Sequence, residues 1–316
     1  MARGLRVYFA SDVHGSERCF RKFLTAAKFY DVDILIMGGD LTGKLMVPII
    51  EVSSGRYETH SRGRVRKISS DELNEFKRTV RFDGFYPHLC SADEYRRIEE
   101  DKDYQDRLFS QLMADQMRTW VRLAEERLAD MGVRCYIMPG NDDQFVIDEA
   151  LSSEFVVNPD GRIVEFDGLQ MLSSAWTNPT PWNSPREESD EQLAARLEKL
   201  VQELLPDKAA IFNLHCPPYG TKMDLAPKLT PDLKVVMRGG EAVMAPCGSM
   251  AVRGLIERYQ PLLSFHGHIH EARAIEHIGE TTCVNPGSRY SEGTLDGAIV
   301  ELDGDRKVAR CQLVAG

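Results

Sequence analysis

Short apolar runs recur along this chain, and the spacing of the apolar residues between them predicts its helices. Leu5 to Ser11 is a β-branched and aromatic run typical of a buried strand, and Ile34 to Met37 predicts the next strand. Between them, after a turn at Gly15-Ser16, apolar residues recur with the spacing of an amphipathic helix: Phe20, Phe23, Leu24 and Ala27. The opening of the chain therefore predicts a β-α-β unit, with parallel strands and a right-handed crossover.

The alternation of strands and helices resumes after residue 131. Further strands are predicted at Cys135 to Met138, Gln170 to Ala175, Ala209 to Leu214 and Leu262 to Phe265. Helices are predicted behind Ser189, which forms a capping box with Gln192, and behind Ser249. The C-terminal part is rich in predicted strands: Thr282 to Val284, Ala298 to Leu302 and Val308 to Val314. This order of elements predicts an α/β protein.

The middle of the chain departs from that alternation. About ninety residues separate two strand ends, which is far longer than an ordinary loop. Pro48 to Ile68 has hairpin character around Ser53-Ser54-Gly55 and Arg62-Gly63, and Ser69-x-x-Glu72 is a capping box. A long helical stripe follows: Phe109, Met113, Met117, Trp120, Ala124, Leu128 and Met131. The stripe either packs against the main body, caps a site or contacts another subunit.

From these patterns we predict a single domain over residues 1–316, with an insertion of a hairpin and helices at residues 45–131. The insertion also gives the chain a possible surface for a homo-oligomer.

Composition narrows the range of functions. The 316 residues are 42% hydrophobic and 28% charged, which is ordinary for a globular protein. A net charge of -10 opposes a broad nucleic-acid-binding face, so nucleic acid is an improbable partner. The local exception is the basic segment from Arg56 to Lys67, which is either a solvated hairpin or a nucleic-acid contact.

Cysteine usage and the N-terminus indicate the compartment. The seven cysteines are widely spread without a C-x-x-C pair, so neither a disulfide framework nor a thiolate zinc site is indicated. No apolar leader segment and no run of eighteen or more apolar residues is present. We therefore expect a cytoplasmic protein without a membrane partner.

Metal-ligand side chains follow directly on several predicted strands. They occur in Asp12-Val13-His14, Gly39-Asp40, Gly140-Asn141, Leu214-His215 and His266-Gly267-His268-Ile269-His270. Open α/β sheets bind ligands at the carboxyl ends of their strands, where these side chains are expected to meet. On an extended backbone, residues two apart point the same way. This predicts that Asp12 shares a face with His14, and that His266 shares one with His268 and His270.

These histidine, aspartate and asparagine side chains supply enough nitrogen and oxygen donors for two metal ions. Divalent ions roughly 3.5–4 Å apart clamp the attacking and departing oxygens of a phosphoryl displacement, and bound metal makes hydroxide available near neutral pH. Asp40 is the natural bridging carboxylate because it lies between the two halves of the ligand set. Mixed histidine, carboxylate and amide ligation suits manganese, iron or zinc. The strand ends therefore predict hydrolysis of a phosphoester by metal-bound hydroxide.

The order D-x-H, G-D, G-N, H and G-H-x-H resembles that of the calcineurin-like metallophosphoesterase superfamily, and it spans Asp12 to His270. The resemblance implies a sandwich of two mixed β-sheets flanked by helices, with two metal ions at the strand ends. It assigns the first ion to residues Asp12, His14, Asp40 and His270. It assigns the second ion to Asp40, Asn141, His215 and His268.

One position departs from the family pattern, in which a histidine that contacts phosphate often follows the asparagine. Here Asp142 occupies that place and Asp143 follows it. An ionised Asp142 would repel a phosphate dianion. Either Asp142 is protonated and acts as an acid, or it points away from the substrate, or the substrate is a phosphodiester of lower charge. We favour a diester.

The predicted catalytic residues are Asp142 and Asp143 together with two cations, Lys44 and Arg289, which could reach a phosphate oxygen. The leading hypothesis is a metal-dependent phosphoesterase, a hydrolase that acts on a small phosphorylated substrate. The alternatives are a non-catalytic metal-binding scaffold and a nuclease of the same fold. A scaffold would be expected to lose ligands, and the net negative charge opposes a nuclease.

Overall fold

A computed structural model describes residues 4–61 and 64–316 of the chain. Arg62 and Gly63, the predicted second hairpin turn, lie outside the described residues. The strands in chain order are β1 (Leu5–Ala10), β2 (Ile34–Met37), β3 (Met46–Ser53), β4 (Arg56–Ser61), β5 (Arg64–Ser69), β6 (Tyr86–Ser91), β7 (Arg134–Ile137), β8 (Val156–Val157), β9 (Ile163–Phe166), β10 (Leu169–Ser174), β11 (Ala209–Leu214), β12 (Leu225–Pro227), β13 (Met237–Arg238), β14 (Glu241–Ala242), β15 (Met244–Pro246), β16 (Leu263–Phe265), β17 (Ala274–Ile278), β18 (Thr281–Asn285), β19 (Asp296–Leu302) and β20 (Val308–Ala315). The helices are α1 (Glu17–Phe29), α2 (Ser70–Phe82), α3 (Ala92–Glu100), α4 (Lys102–Leu128), α5 (Asp190–Val201) and α6 (Met250–Tyr259).

Two large mixed sheets form the body of the protein. In the first sheet the strand order is β20-β19-β1-β2-β7-β8, and the four strands β1, β2, β7 and β8 are parallel. In the second sheet the order is β17-β18-β16-β11-β10-β9, and its four central strands are parallel. The remaining pairs of both sheets are antiparallel. The predicted pair of mixed sheets is confirmed.

The two sheets face each other across an apolar core. Its centre is a stacked pair of rings, Phe9 of β1 and Phe265 of β16, whose centroids are 4.6 Å apart. Because both rings are fully buried, they seal the interface directly beneath the strand ends that carry the ligand motifs.

Helices cover the outer faces of both sheets. The apolar side chains of α1 and α4 pack on the first sheet, and those of α5 and α6 pack on the second. Trp120 of α4 stacks on Phe20 of α1 with ring centroids 4.2 Å apart. The stripe on α4 is therefore a packing surface for the main body, the first of the three alternatives raised by the sequence.

The segment before α4 forms a sheet of its own, in the order β5-β4-β3-β6. Side chains alternate across this sheet, so Ile49 packs with α2 on one face while Ile50 packs with α3 on the other. The predicted capping box at Ser69 is present at the start of α2. Residues 46–128 thus contain this four-stranded sheet and the helices α2, α3 and α4, and their assignment as an insertion into a single domain stays a prediction.

Among the described residues, no helix combines the length and apolar character needed to cross a membrane.

Candidate metal centre

The ligand motifs lie just beyond the strands, where the backbone leaves the extended conformation. Asp12, His14, Asp40 and His268 all have positive φ angles, of 57°, 39°, 52° and 68°. Non-glycine residues rarely adopt this left-handed region, and such strain concentrates at functional sites. Backbone hydrogen bonds hold the turns, because the amides of Asp12 and His14 donate to the carbonyl oxygens of Gly39 and Asp40.

These angles correct the prediction that residues two apart share a face by strand alternation. The backbone is not extended at Asp12 or at His268, so the period of two ends with the strand. His266 is fully buried, and its Nδ1 donates to the carbonyl oxygens of Leu214 and Cys216. It is a structural histidine, whereas His268 and His270 enter the site.

The first group of donors contains Asp12, His14, Asp40 and His270, with one ligand atom of each within 4.8 Å of the others. His14 Nε2 is 3.1 Å from His270 Nε2 and 3.5 Å from Asp40 Oδ2. His270 Nε2 is also 3.4 Å from Asp12 Oδ1.

The second group contains Asp40, His215 and His268. His215 Nε2 lies 3.3 Å from Asp40 Oδ1. Asn141 Oδ1 joins this group at 2.8 Å from His268 Nδ1 and 3.2 Å from His215 Nε2. Asp40 thus turns one carboxylate oxygen towards each group, which is the geometry expected of a bridging ligand.

The outer partners of these residues fix their orientation. His215 Nδ1 donates to the Gly38 carbonyl oxygen at 2.9 Å, which leaves Nε2 facing the cluster. The Asp12 carboxylate accepts the backbone amide of His268 at 3.0 Å and 3.1 Å, so a donor of the first group positions one of the second.

Charge in this buried site favours a cation. Burial lowers the pKa of His14 and of His268 to about 4, so both are neutral at neutral pH. Burial alone would raise the pKa of Asp40, but the charge and hydrogen bond of His215 hold it well below the usual range. Burial opposes protonation of His215, yet Asp40 and Asp12 raise its pKa to about 9. A proton on His215 therefore has to leave before Nε2 can hold a metal ion.

The donor set fits two divalent ions. Two buried carboxylates, four imidazoles and one amide oxygen converge, which is a mixture of nitrogen and oxygen donors that divalent ions accept. All seven residues predicted as ligands are brought together.

Close packing explains the glycine before Asn141. A Cβ atom at Gly140 would overlap Asp40 Oδ1 and the Asp40 backbone nitrogen, and it would lie 2.8 Å from His215 Nε2. Only glycine lets the turn after β7 approach the bridging carboxylate this closely.

Asp142 lies at the rim of the cluster. Its backbone amide donates to Asp40 Oδ1 at 3.0 Å, while its side chain points to Lys44, with Oδ2 2.8 Å from Nζ. Partial burial opposes a positive charge on Lys44, but the hydrogen bond and charge of Asp142 raise its pKa above the ordinary value. Two of the four predicted catalytic residues are thus paired beside the site.

The other two are held by different partners. The buried Asp143 carboxylate accepts hydrogen bonds from the Thr42 hydroxyl and from the backbone amides of residues 41, 42 and 140. Burial and the nearby charge of Asp40 raise the pKa of Asp143 to about 6. Arg289 forms a bidentate ion pair with Asp296 at 2.7 Å and 2.9 Å. Asp143 therefore ties two of the candidate ligand loops together, and the catalytic roles of Asp143 and Arg289 stay predictions.

Two residues near the centre were missed by sequence reasoning. The Tyr290 ring lies beside His14 and His270, at centroid distances of 4.7 Å and 5.8 Å. Arg186 is 2% exposed; its backbone amide donates to the Asn141 carbonyl oxygen, and its Nε donates to that of Asp143. Tyr290 follows the Asn285-Pro286-Gly287 turn and could have been suspected from that place. Nothing in the local sequence marks Arg186.

Comparison with known proteins gives the following relationships. No protein-family model matches the chain. The uncharacterized protein MJ1162 of Methanocaldococcus jannaschii is 32% identical over 166 residues, which cover 51% of this chain and 68% of that protein. The crystal structure of TT1561 of Thermus thermophilus aligns over 99% of this chain and 98% of its own, with 15% identity and a TM-score of 0.52. A further crystal structure aligns over 98% of both chains, with 15% identity and a TM-score of 0.57.

The identity to MJ1162 is sufficient to assign a common family, and the structural likeness covers nearly the whole chain. The chain therefore belongs to the same family as MJ1162, and its fold is the metallophosphoesterase fold that the motif order indicated.

Proposed function

We propose that this protein is a dinuclear-metal-dependent hydrolase that cleaves the ester bond of a small phosphorylated substrate, with phosphodiesters favoured over monoesters. The observation that carries the proposal is the pair of buried donor groups that share Asp40, each of a size to hold one divalent ion. Their mixed nitrogen and oxygen donors suit manganese, iron or zinc.

Two bound divalent ions would supply an activated water molecule and stabilise the charge that develops on the phosphoryl oxygens. The chain's own residues prepare that chemistry. Asp40 holds the two donor groups together, and the carbonyl oxygen of Gly38 keeps His215 Nε2 turned inwards. The stacked Phe9 and Phe265 rings close the core between the two sheets.

The charge at the rim supports the preference for diesters. Asp142 places a carboxylate where the related enzymes often have a histidine, and that carboxylate is 31% exposed. Lys44 offsets the charge of Asp142 at 2.8 Å, and the repulsion that is left is smaller for a phosphodiester, which carries one negative charge, than for a monoester dianion, which carries two.

Metal-depleted protein tests the proposal. After treatment with a chelator the protein should hydrolyse neither bis(4-nitrophenyl) phosphate nor 4-nitrophenyl phosphate, and Mn(II) should restore hydrolysis, faster for the diester. The matched control is Asp40→Ala, which should stay inactive at the same metal concentration.

If the fully metallated protein hydrolyses no ester in a broad panel of monoesters and diesters, the proposal that it is an enzyme is refuted. That result, with two ions still bound per chain, would instead favour the non-catalytic scaffold.

A further inference from the structure

Three loops converge on the side of the cluster formed by His14. Lys44 comes from the loop between β2 and β3, Asp142 from the turn after β7, and Tyr290 from the 3-10 turn after β18. The structural position of Asp142 is the one where the sequence departs from the family pattern.

The Asp142 carboxylate forms an ion pair with Lys44 and lies near the Nδ1 atom of His14. Its Oδ2 is 2.8 Å from Lys44 Nζ and 3.8 Å from His14 Nδ1. His14 Nδ1 is buried and has no hydrogen-bond partner among the described residues. A histidine that binds metal through Nε2 usually directs its Nδ1 proton to a carboxylate or carbonyl group. Asp142 is the carboxylate at that end of the His14 ring.

The Lys44 ammonium group still has N–H donors for a ligand while it is paired with Asp142. An ammonium group has three donors, and the ion pair with Asp142 uses one of them. The Lys44 side chain is 56% exposed, so its remaining N–H groups are accessible to a ligand. The pair brings no net charge, whereas an unpaired Asp142 would repel an anion beside the cluster.

We infer that the ion pair between Lys44 and Asp142 is the phosphate-recognition element of this site, in which Lys44 contacts the phosphoryl oxygens and Asp142 is a positioning residue for Lys44. This inference rests on the proposed function and gives Lys44 and Asp142 different roles in it. Tyr290 lies on the same side of the site, with its ring centroid 4.7 Å from that of His14.

The inference predicts a rescue that separates it from an acid role for Asp142. Lys44→Met leaves the Asp142 carboxylate unpaired, so it removes an attractive contact and exposes a repulsive charge. Inorganic phosphate should then bind about 10-fold more weakly to the Mn(II)-loaded protein, as expected for a charge-assisted hydrogen bond. Adding Asp142→Asn to Lys44→Met removes the repulsion and should recover about threefold or more of that loss.

The binding constants are measured by isothermal titration calorimetry with phosphate as the probe, after equal metal content has been established for each variant. The matched control is the exposed ion pair of Lys102 and Asp106 on α4, at 2.7 Å. Lys102→Met, alone or with Asp106→Asn, should bind phosphate as the original chain does.

Turnover gives the second measurement. With a diester substrate, Lys44→Met should raise KM and leave kcat nearly unchanged. Asp142→Asn should change kcat by the same factor for a 4-nitrophenyl and a phenyl leaving group, because Asp142 is not the proton donor.

The inference fails if Lys44→Met binds phosphate as tightly as the original chain, if the double variant binds no better than Lys44→Met, or if Asp142→Asn slows only the phenyl ester. These outcomes differ from failure of the proposed function, in which the original chain binds phosphate through Lys44 but hydrolyses no ester.

Discussion

Asp40 and Asp142 lie side by side but relate to the metal centre in different ways. Asp40 presents one oxygen to each donor group, whereas Asp142 reaches the cluster through its backbone amide. Asp40→Ala should therefore lose both metal ions, and Asp142→Ala should keep both. The measurement is metal content per chain by inductively coupled plasma mass spectrometry after gel filtration. An Asp142→Ala protein without metal would identify Asp142 as a ligand and contradict the assignment.

A substitution at Gly140 tests whether metal binding depends on the close approach of the Gly140 backbone to Asp40 as well as on the ligands themselves. Gly140→Ala changes no ligand, but its methyl group would overlap Asp40 Oδ1 and displace the bridging carboxylate. We expect metal affinity to fall by at least about 10-fold, comparable to loss of an outer partner of a ligand. Titration with Mn(II) followed by calorimetry measures the change. Gly161→Ala is the control. No atom lies within 4 Å of a Cβ at that position, so the substitution brings the backbone strain of alanine at a φ of 70° without a steric overlap. Equal affinities for Gly140→Ala and the control would exclude the steric explanation.

At the scale of elements, α4 contributes stability, and the insertion also contacts the site. The carbonyl oxygen of Gly84, at the end of α2, packs against the backbone of Gly15 and Gly43, and a Cβ at Gly84 would overlap the His14 carbonyl oxygen. The insertion thus touches the loops that carry His14 and Lys44.

A substitution at Trp120 measures how much the packing of α4 contributes to the stability of the protein. The side chain is 3% exposed and stacks on Phe20, so Trp120→Ala would open a cavity between α4 and α1. Truncation of a buried aromatic residue costs about 3–5 kcal/mol in the free energy of unfolding. Urea unfolding should show that loss, while Glu126→Ala, on the exposed face of the same helix, should stay within about 0.5 kcal/mol. A loss below about 1 kcal/mol for Trp120→Ala would show that α4 does not depend on this contact.

At the scale of the whole molecule, the candidate metal centre draws its residues from both large sheets. The loops after β1, β2 and β7 of the first sheet supply Asp12, His14, Asp40 and Asn141. The loops after β11 and β16 of the second sheet supply His215, His268 and His270. Ions held by both sets would link the two sheets, so metal binding should stabilise the whole protein.

Metal removal tests that coupling. An ion at about 100 times its dissociation constant adds about 2.7 kcal/mol of stability if it binds only the folded chain. The thermal midpoint in Mn(II) should exceed that in chelator by roughly 5 °C or more. Differential scanning calorimetry measures both midpoints. Asp40→Ala should show no difference between the two conditions, and an equal shift in that variant would assign the effect to metal bound elsewhere.

The sequence by itself determined the main strands of the two large sheets and which side chains gather at the candidate metal centre. Apolar spacing located α1 and the five strands that precede the candidate ligands, β1, β2, β7, β11 and β16, since local burial patterns reflect which face of an element meets the core. Seven candidate ligands could be named because they follow apolar runs, and parallel strands bring their carboxyl ends to one edge of a sheet.

Only the tertiary structure decided how those side chains are oriented and paired. Left-handed φ angles at Asp12 and His268 overrode the alternation expected of a strand, because hydrogen bonds between neighbouring loops hold the turns. The pairing of Lys44 with Asp142, the role of Asp143 as a tie between loops and the approach of Tyr290 join residues separated by about 100 to 280 positions. Local sequence carries no record of such contacts, since they arise from how the sheets, the insertion and the loops pack together.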